Sequence, residues 1–373
     1  MTDSSHHAAL APARRAHVLA VLARDGAVRV SQLIEDLGVT PVTLRRDLAL
    51  MEQDGLLVRV HGGAVAPPTA RPSEDDGPGA EDEPGAAAPT GALAVLVPSL
   101  NYYWPEVVRG VEAGTRRRGM GMVLRGASYE LQDERPLLER LVASEGVRGL
   151  IVAPNTDTPH AQDVVQWLAD CGTPSVLVER DAVVLPAGAP VESVTTDHAL
   201  GALLAARHLA ALGHRKVGLI LSRFSPTSRK IEAGWSAACA ELGLTPTEHF
   251  ERLLPDRGSP DFSAAVDATL DTALSAGVTA LLVHSDPEAM AMVDLAMERG
   301  ISVPADLSVI AYDDEVARLF TPALTAVSPP RAAVGEVAVD VWAARHDDPS
   351  RPVQRVLLSP RVIVRDSTAP PRA

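Results

Sequence analysis

The sequence predicts an α/β protein in two parts. One is a small winged helix-turn-helix head; the other is a two-lobed domain of two doubly wound parallel sheets. Three observations predict this. Residues 30–66 carry two amphipathic helices at turn-like spacing, followed by a Gly-Gly hairpin. An acidic, Pro-rich stretch at 67–90 interrupts the chain. From residue 91 onward, short apolar strands alternate with helices in two successive runs. With 373 residues, 46% of them apolar, the chain is long enough for two or three domains with a substantial core.

The head is organised around TPVTLRRDLALMEQDG (40–55). Thr40 is placed as an N-cap and Pro41 fills the first helical position, where a missing N–H costs nothing. Leu44, Leu48 and Met51 fall at i, i+4, i+7, so one face packs inward. The opposite face carries Val42, Arg45, Arg46 and Ala49. Two arginines among small side chains suit a helix lying in a major groove, where Arg reads guanine edges or holds phosphates. Gly55 ends the helix, 56–60 reads as a strand, and His61-Gly62-Gly63 as the turn of a wing. Upstream, VRVSQLIEDLGV supplies the first helix of the motif, with Ser31 as N-cap, Leu33, Ile34 and Leu37 buried, and Gly38 as the turn. Residues 14–24 form a supporting helix with Val18, Leu19, Val21 and Leu22. Ser31, Thr40, Val42, Thr43, Arg45, Arg46, Arg59 and His61 make up the expected contact set for double-stranded DNA.

The pieces VSQLIEDLGV, TLRRDLALMEQDG and LVRVHGGA, in that order, resemble the winged helix of the DeoR family of bacterial regulators. Net charge is −14, which at first opposes nucleic-acid binding. The charge is uneven, however. Residues 1–66 hold seven Arg against seven Asp or Glu. A neutral head implies weak non-specific binding and useful affinity only as a homodimer on two half-sites. Residues 67–90 hold six Pro and six acidic residues and no large apolar side chain, and so read as a disordered, solvated tether. Cys171 and Cys239 are far apart and lack metal spacing, so neither a disulfide nor a metal cofactor is expected. The first ten residues have no apolar signal segment, and no run approaches the length of a membrane span. A cytoplasmic protein is the expectation.

After residue 91 the expected strands are 92–97, 121–126, 149–154, 175–180, 216–221, 279–284 and 307–312. The expected helices are 106–118, 134–144, 161–170, 198–212, 231–242 and 287–299. Ligands of such sheets sit beyond the carboxyl ends of the strands, and two facing lobes put the site in the cleft between them. The first lobe is expected at 91–196 and 327–356, the second at 197–326 and 357–366. Aromatic residues number only 12, yet Tyr102, Tyr103 and Trp104 are consecutive and follow the first strand. Such rings stack on the C–H face of a sugar or on a base. Asp286 and Asp313 end strands, as polar anchors would. Ser128 and Asn155 follow the second and third strands. Asp313 and its neighbour Asp314 diverge on a strand end, so they do not form the paired carboxylates of a glycosidase.

The stretches GHRKVGLI, VPADLSVIAYDD and TPALTAV, in that order, resemble the LacI-type effector domain, itself similar to periplasmic sugar-binding proteins. The resemblance spans nearly all of 91–366. It implies a dimeric ligand sensor that closes on a sugar-like effector, with Asp313 in the place of the family's ligand Asp and Arg180 in that of a ligand Arg. Where relatives carry another ligand Arg, three residues before Gly234, this chain has Ile231; Arg229 or Lys230 then reaches in instead. The combined expectation is a transcription repressor that is not an enzyme. Two rivals are a DeoR-type regulator sensing a sugar phosphate, and an enzyme acting on a sugar or nucleoside. GMGM at 119–122 follows a helix and lacks a third Gly, so no dinucleotide loop is expected.

Overall fold

The computed structural model describes residues 91–127, 133–223, 225–244 and 249–372. Nearer the N-terminus it describes residues 14, 15, 17–19, 21, 22, 27–29, 33, 37, 44, 48, 51, 57–60 and 63–65. The chain divides into two compact units, Met1–Pro84 and Gly85–Ala373.

In the first unit, β1 (Ala27–Arg29), β2 (Val58–Val60) and β3 (Gly63–Val65) form an antiparallel sheet with β3 in the middle. Positions 44, 48 and 51 are helical, and Leu44, Leu48 and Met51 are fully buried. They pack with Val18, Leu22, Val28, Leu33, Leu57 and Ala64 in one apolar cluster. The i, i+4, i+7 face is therefore the inward one. Two details differ from the sequence reading. Gly63 opens β3 rather than closing the turn, and Val28 and Arg29 of VRVSQLIEDLGV belong to β1.

The second unit begins with β4 (Ala92–Val97), α1 (Trp104–Arg117), β5 (Gly121–Gly126), α2 (Arg135–Val142), β6 (Val147–Val152), α3 (Ala161–Asp170) and β7 (Ser175–Val178). A small hairpin, β8 (Val183–Val184) and β9 (Ala189–Pro190), leads to β10 (Ser193–Thr196). Next come α4 (His198–Ala211), β11 (Val217–Ser222), α5 (Ser228–Glu241), β12 (His249–Leu254), α6 (Phe262–Ser275), β13 (Ala280–His284) and α7 (Asp286–Glu298). The chain ends with β14 (Ser308–Tyr312), β15 (Thr325–Ser328), α8 (Arg331–Asp347), β16 (Arg355–Leu358) and β17 (Arg361–Ile363).

These strands make two six-stranded sheets, β16-β10-β7-β6-β4-β5 and β12-β11-β13-β14-β15-β17. All their pairings are parallel except β15 with β17, so the second sheet ends in an antiparallel edge strand that the sequence reading did not contain. Strands β4 and β13 are buried almost throughout, and successive side chains pack on opposite faces of the sheet, as a pleat covered on both faces requires. Leu93, Val95 and Val97 of β4 pack with α1 and α8, whereas Ala94 and Leu96 pack with α2 and α3. In the second sheet, Leu281 and Val283 pack with α6 and α7, and Ala280 and Leu282 with α4 and α5. The chain passes between the sheets three times: after β10, after β15 into α8, and after β16.

Helices α1 and α8 pack backbone to backbone. A Cβ on Gly335 would overlap the Val107 carbonyl oxygen, and one on Gly110 would overlap that of Ala332. Gly335→Ala must push two backbones apart and is expected to cost about 3 kcal/mol, read as a lower denaturant midpoint at unchanged slope.

Candidate functional site

The carboxyl ends of both sheets border a cavity of about 310 Å³. The first sheet contributes Tyr102, Tyr103 and Trp104 after β4, and Glu179 and Arg180 after β7. The second contributes Ser222 of β11, His284 and Ser285 at the end of β13, and Asp313 after β14. Three non-glycine residues on this wall, Tyr103, Glu179 and Asp313, hold positive φ angles of 65°, 55° and 103°, and Asp314 beside them has 54°. Those are all the non-glycine positive-φ residues among the described ones. Backbone strain of this kind persists where surrounding structure imposes it, and it concentrates at binding sites.

Tyr102 donates its hydroxyl to Asp313 Oδ2 at 3.2 Å, joining the two lobes across the cavity. Asp313 is 4% exposed. Burial, and then the Asp286 carboxylate, push its carboxyl well above the usual range. Tyr103 packs edge-on against Trp104, with centroids 5.5 Å apart, and Trp104 sinks into the first lobe's core. Arg180 stacks its guanidinium 5.4 Å from the Trp104 ring centroid. It donates to the carbonyls of Pro154 at 3.1 Å and Glu179 at 2.9 Å, rather than pairing with a neighbouring carboxylate.

Beneath the cavity floor lies a buried hub that the sequence reading missed. Glu179 Oε1 accepts from the Tyr103 hydroxyl at 2.5 Å and the Thr196 hydroxyl at 2.7 Å. Glu179 Oε2 takes the Thr196 amide at 3.0 Å and faces His198 Nε2 at 3.1 Å. The other nitrogen of His198 lies 3.0 Å from the Tyr312 hydroxyl. Burial raises the Glu179 carboxyl, but the His198 hydrogen bond and charge, with the Tyr103 and Thr196 bonds, outweigh it and hold the pKa at about 2. The hub joins β7, β10 and β14, and so spans the first crossing between the sheets. The only sequence signal was an acidic residue closing an apolar strand.

Several expected site residues stand elsewhere. Asp286 is fully buried and does not line the cavity. Its carboxylate accepts the backbone N–H groups of Asp314, Glu315, Val316 and Ala317 at 2.7–3.1 Å, and so pins the segment that follows Asp313. Burial still pushes that carboxyl up to about 7 against these bonds. Arg229 does not reach in: its side chain is 82% exposed and faces Asp157 at 3.5 Å. Lys230 pairs with Asp181 at 2.5 Å, again across the lobes, and Ile231 is core. Asn155 lies off the cavity; its backbone N–H donates to the Glu134 carboxylate. The Ser285 hydroxyl donates to Glu288 at 2.6 Å. Asp314 turns away from Asp313 to pair with Arg365 at 2.7 Å, the divergence expected of adjacent strand-end residues.

Ser128, Ser31, Thr40, Val42, Thr43, Arg45, Arg46 and His61 lie outside the described residues. So do residues 67–90. Arg59 sits on β2 opposite Ala64. Among the described residues, no cluster of His, Cys, Asp or Glu has metal-binding geometry, and no helix is long and apolar enough to cross a membrane.

Two family models match the chain: a DeoR-like helix-turn-helix domain over residues 14–70 and a periplasmic binding protein-like domain over 206–368. An HTH-type transcriptional regulator encoded in the aml 5′ region of Streptomyces limosus is 32% identical over 75% of this chain and 79% of its own length. The HTH-type transcriptional regulator MalR of Streptomyces coelicolor is 30% identical over 75% of this chain and 81% of its own. A crystal structure of a LacI transcriptional regulator from a Rhodococcus species superposes with a TM-score of 0.64 at 25% identity, covering 75% of this chain and all of that one.

Proposed function

This chain belongs to the LacI-type HTH transcriptional regulators, and from that premise we propose that it is a repressor whose hold on operator DNA is set by a small polyhydroxylated effector in the interlobe cavity. The DeoR-type head binds DNA as one of two in a homodimer, with Arg45 and Arg46 reading the major groove and Arg59 and His61 following the backbone. The observation that carries the effector reading is the cavity itself. Aromatic rings on one lobe oppose the buried Asp313 of the other, and a single hydrogen bond from Tyr102 already joins them. A ligand with hydroxyls on one face and C–H groups on the other would fill the gap and favour the closed lobes. It shifts the dimer only by its difference in affinity for the two states.

The head is tested by gel shift of the full chain on its own promoter fragment. Arg45→Ala and Arg46→Ala should each weaken binding by roughly 1–3 kcal/mol if they touch base edges. Unchanged binding in both variants would remove the recognition-helix assignment.

A further inference from the structure

One side chain on the cavity wall has an unspent nitrogen. His284 closes β13, is 6% exposed and lines the cavity. Its Nδ1 is buried and meets no hydrogen-bond partner. The ring stands edge-on to Tyr312, with centroids 5.5 Å apart, a contact that gives Nδ1 no hydrogen-bond partner. Buried polar groups are nearly always hydrogen-bonded, so an exception on a cavity wall calls for a partner that arrives from outside. Burial, and then the neighbouring His198, push the imidazole down to about 3, so it is neutral at physiological pH. A neutral ring offers one N–H and one lone pair and no charge. The remaining wall carries the carboxylates of Glu179, Asp256 and Glu288, and the Asp313 carboxyl that burial pushes up, against the guanidiniums of Arg180 and Arg257, while the nearby Arg331 is paired with Glu315. Arg180 is already spent on two carbonyls. The surroundings are therefore unfavourable to an anion.

We propose that His284 is an effector-reading residue: it exchanges a hydrogen bond with a hydroxyl of an uncharged polyhydroxylated molecule, on a wall that rejects the phosphorylated analogue. The proposal rests on the effector reading above. It also separates this chain from sensors built for sugar phosphates, which need converging cations or backbone N–H groups.

The test uses the full chain with ribose, glucose, maltose and their phosphate esters, read by thermal shift and then by titration calorimetry. At least one uncharged sugar should raise the melting temperature, and its ester should not. His284→Phe should weaken that sugar about tenfold, because a cavity built to bond a hydroxyl loses its partner. The sugar-free melting temperature should not fall, since the change removes an unsatisfied nitrogen. His284→Gln, which keeps a donor and an acceptor, should stay within about threefold of the parent. If His284→Phe binds like the parent while Asp313→Ala does not, the His284 assignment fails and the cavity reading survives. If both variants bind like the parent, the cavity reading fails as well. Preference for the esters, or no uncharged sugar bound, overturns the ligand class. A lower sugar-free melting temperature in both His284→Phe and His284→Ala would make the imidazole structural and overturn the proposal.

Discussion

Asp286→Ala is expected to cost about 4 kcal/mol of folding stability, a drop of roughly 8 °C in melting temperature for a domain of this size. Four backbone N–H groups, those of residues 314–317, end on this one buried carboxylate. Removing it leaves them with no acceptor in a place without room for bulk water. Asp286→Asn keeps one acceptor oxygen and turns an amide toward the remaining N–H, so about half the loss is expected. The same substitutions should weaken effector binding, because the pinned segment holds Asp313 at its positive φ on the cavity wall. Differential scanning calorimetry with and without effector separates the two effects. An Asp286→Ala protein as stable as the parent would contradict the pin.

Glu179→Ala is the second large effect, expected at roughly 3–5 kcal/mol, because it strips the acceptor from Tyr103, Thr196 and His198 at once. The pH dependence follows from the sign of the shift. The Glu179 carboxyl is held down at about 2 in the folded chain, below the ~4.3 of an unfolded Glu. Its contribution is therefore complete above ~4.3 and is lost as pH falls from there toward 2. Denaturant unfolding of parent and variant should differ most above pH ~4.3, with the difference narrowing as pH falls from there toward 2. A difference that stays constant across this range would mean that the ionised form is not what stabilises the hub. Because the hub sits at a crossing between the sheets, Glu179→Gln should also alter how readily the lobes close, visible as a changed effector affinity with Asp313 and Tyr102 intact.

Much of the fold was legible from periodicity. The two runs of apolar strands and helices gave both sheets, because a strand buried on both faces writes itself as an unbroken apolar run, as in ALAVLV. The head was legible for the complementary reason: Leu44, Leu48 and Met51 mark one helical stripe. What escaped was short, polar or contextual. β10 reads SVTT and carries no apolar run, although all four residues are buried. α8 has a glycine in its second turn, which lowers helix propensity, yet Gly335 is there to let α1 approach. The antiparallel β17 depends on a return crossing that no local pattern announces. At the site, Tyr102, Tyr103, Trp104, Arg180 and Asp313, which follow strand ends, all line the cavity. Asp286 obeys the same rule and is spent on the backbone instead, because its partners lie 28–31 residues further along the chain. Arg229 and Lys230 were drawn toward the cavity by resemblance, but the turn of α5 sends them to carboxylates of the other lobe.

The most direct measurement is the operator affinity of the full-length chain, titrated on its own promoter DNA with and without the uncharged sugar that raises its melting temperature most. The account predicts at least a tenfold difference between the two curves, and none in Asp313→Ala. Operator curves that superimpose with and without a sugar known to be bound would contradict the claim that the cavity governs the head.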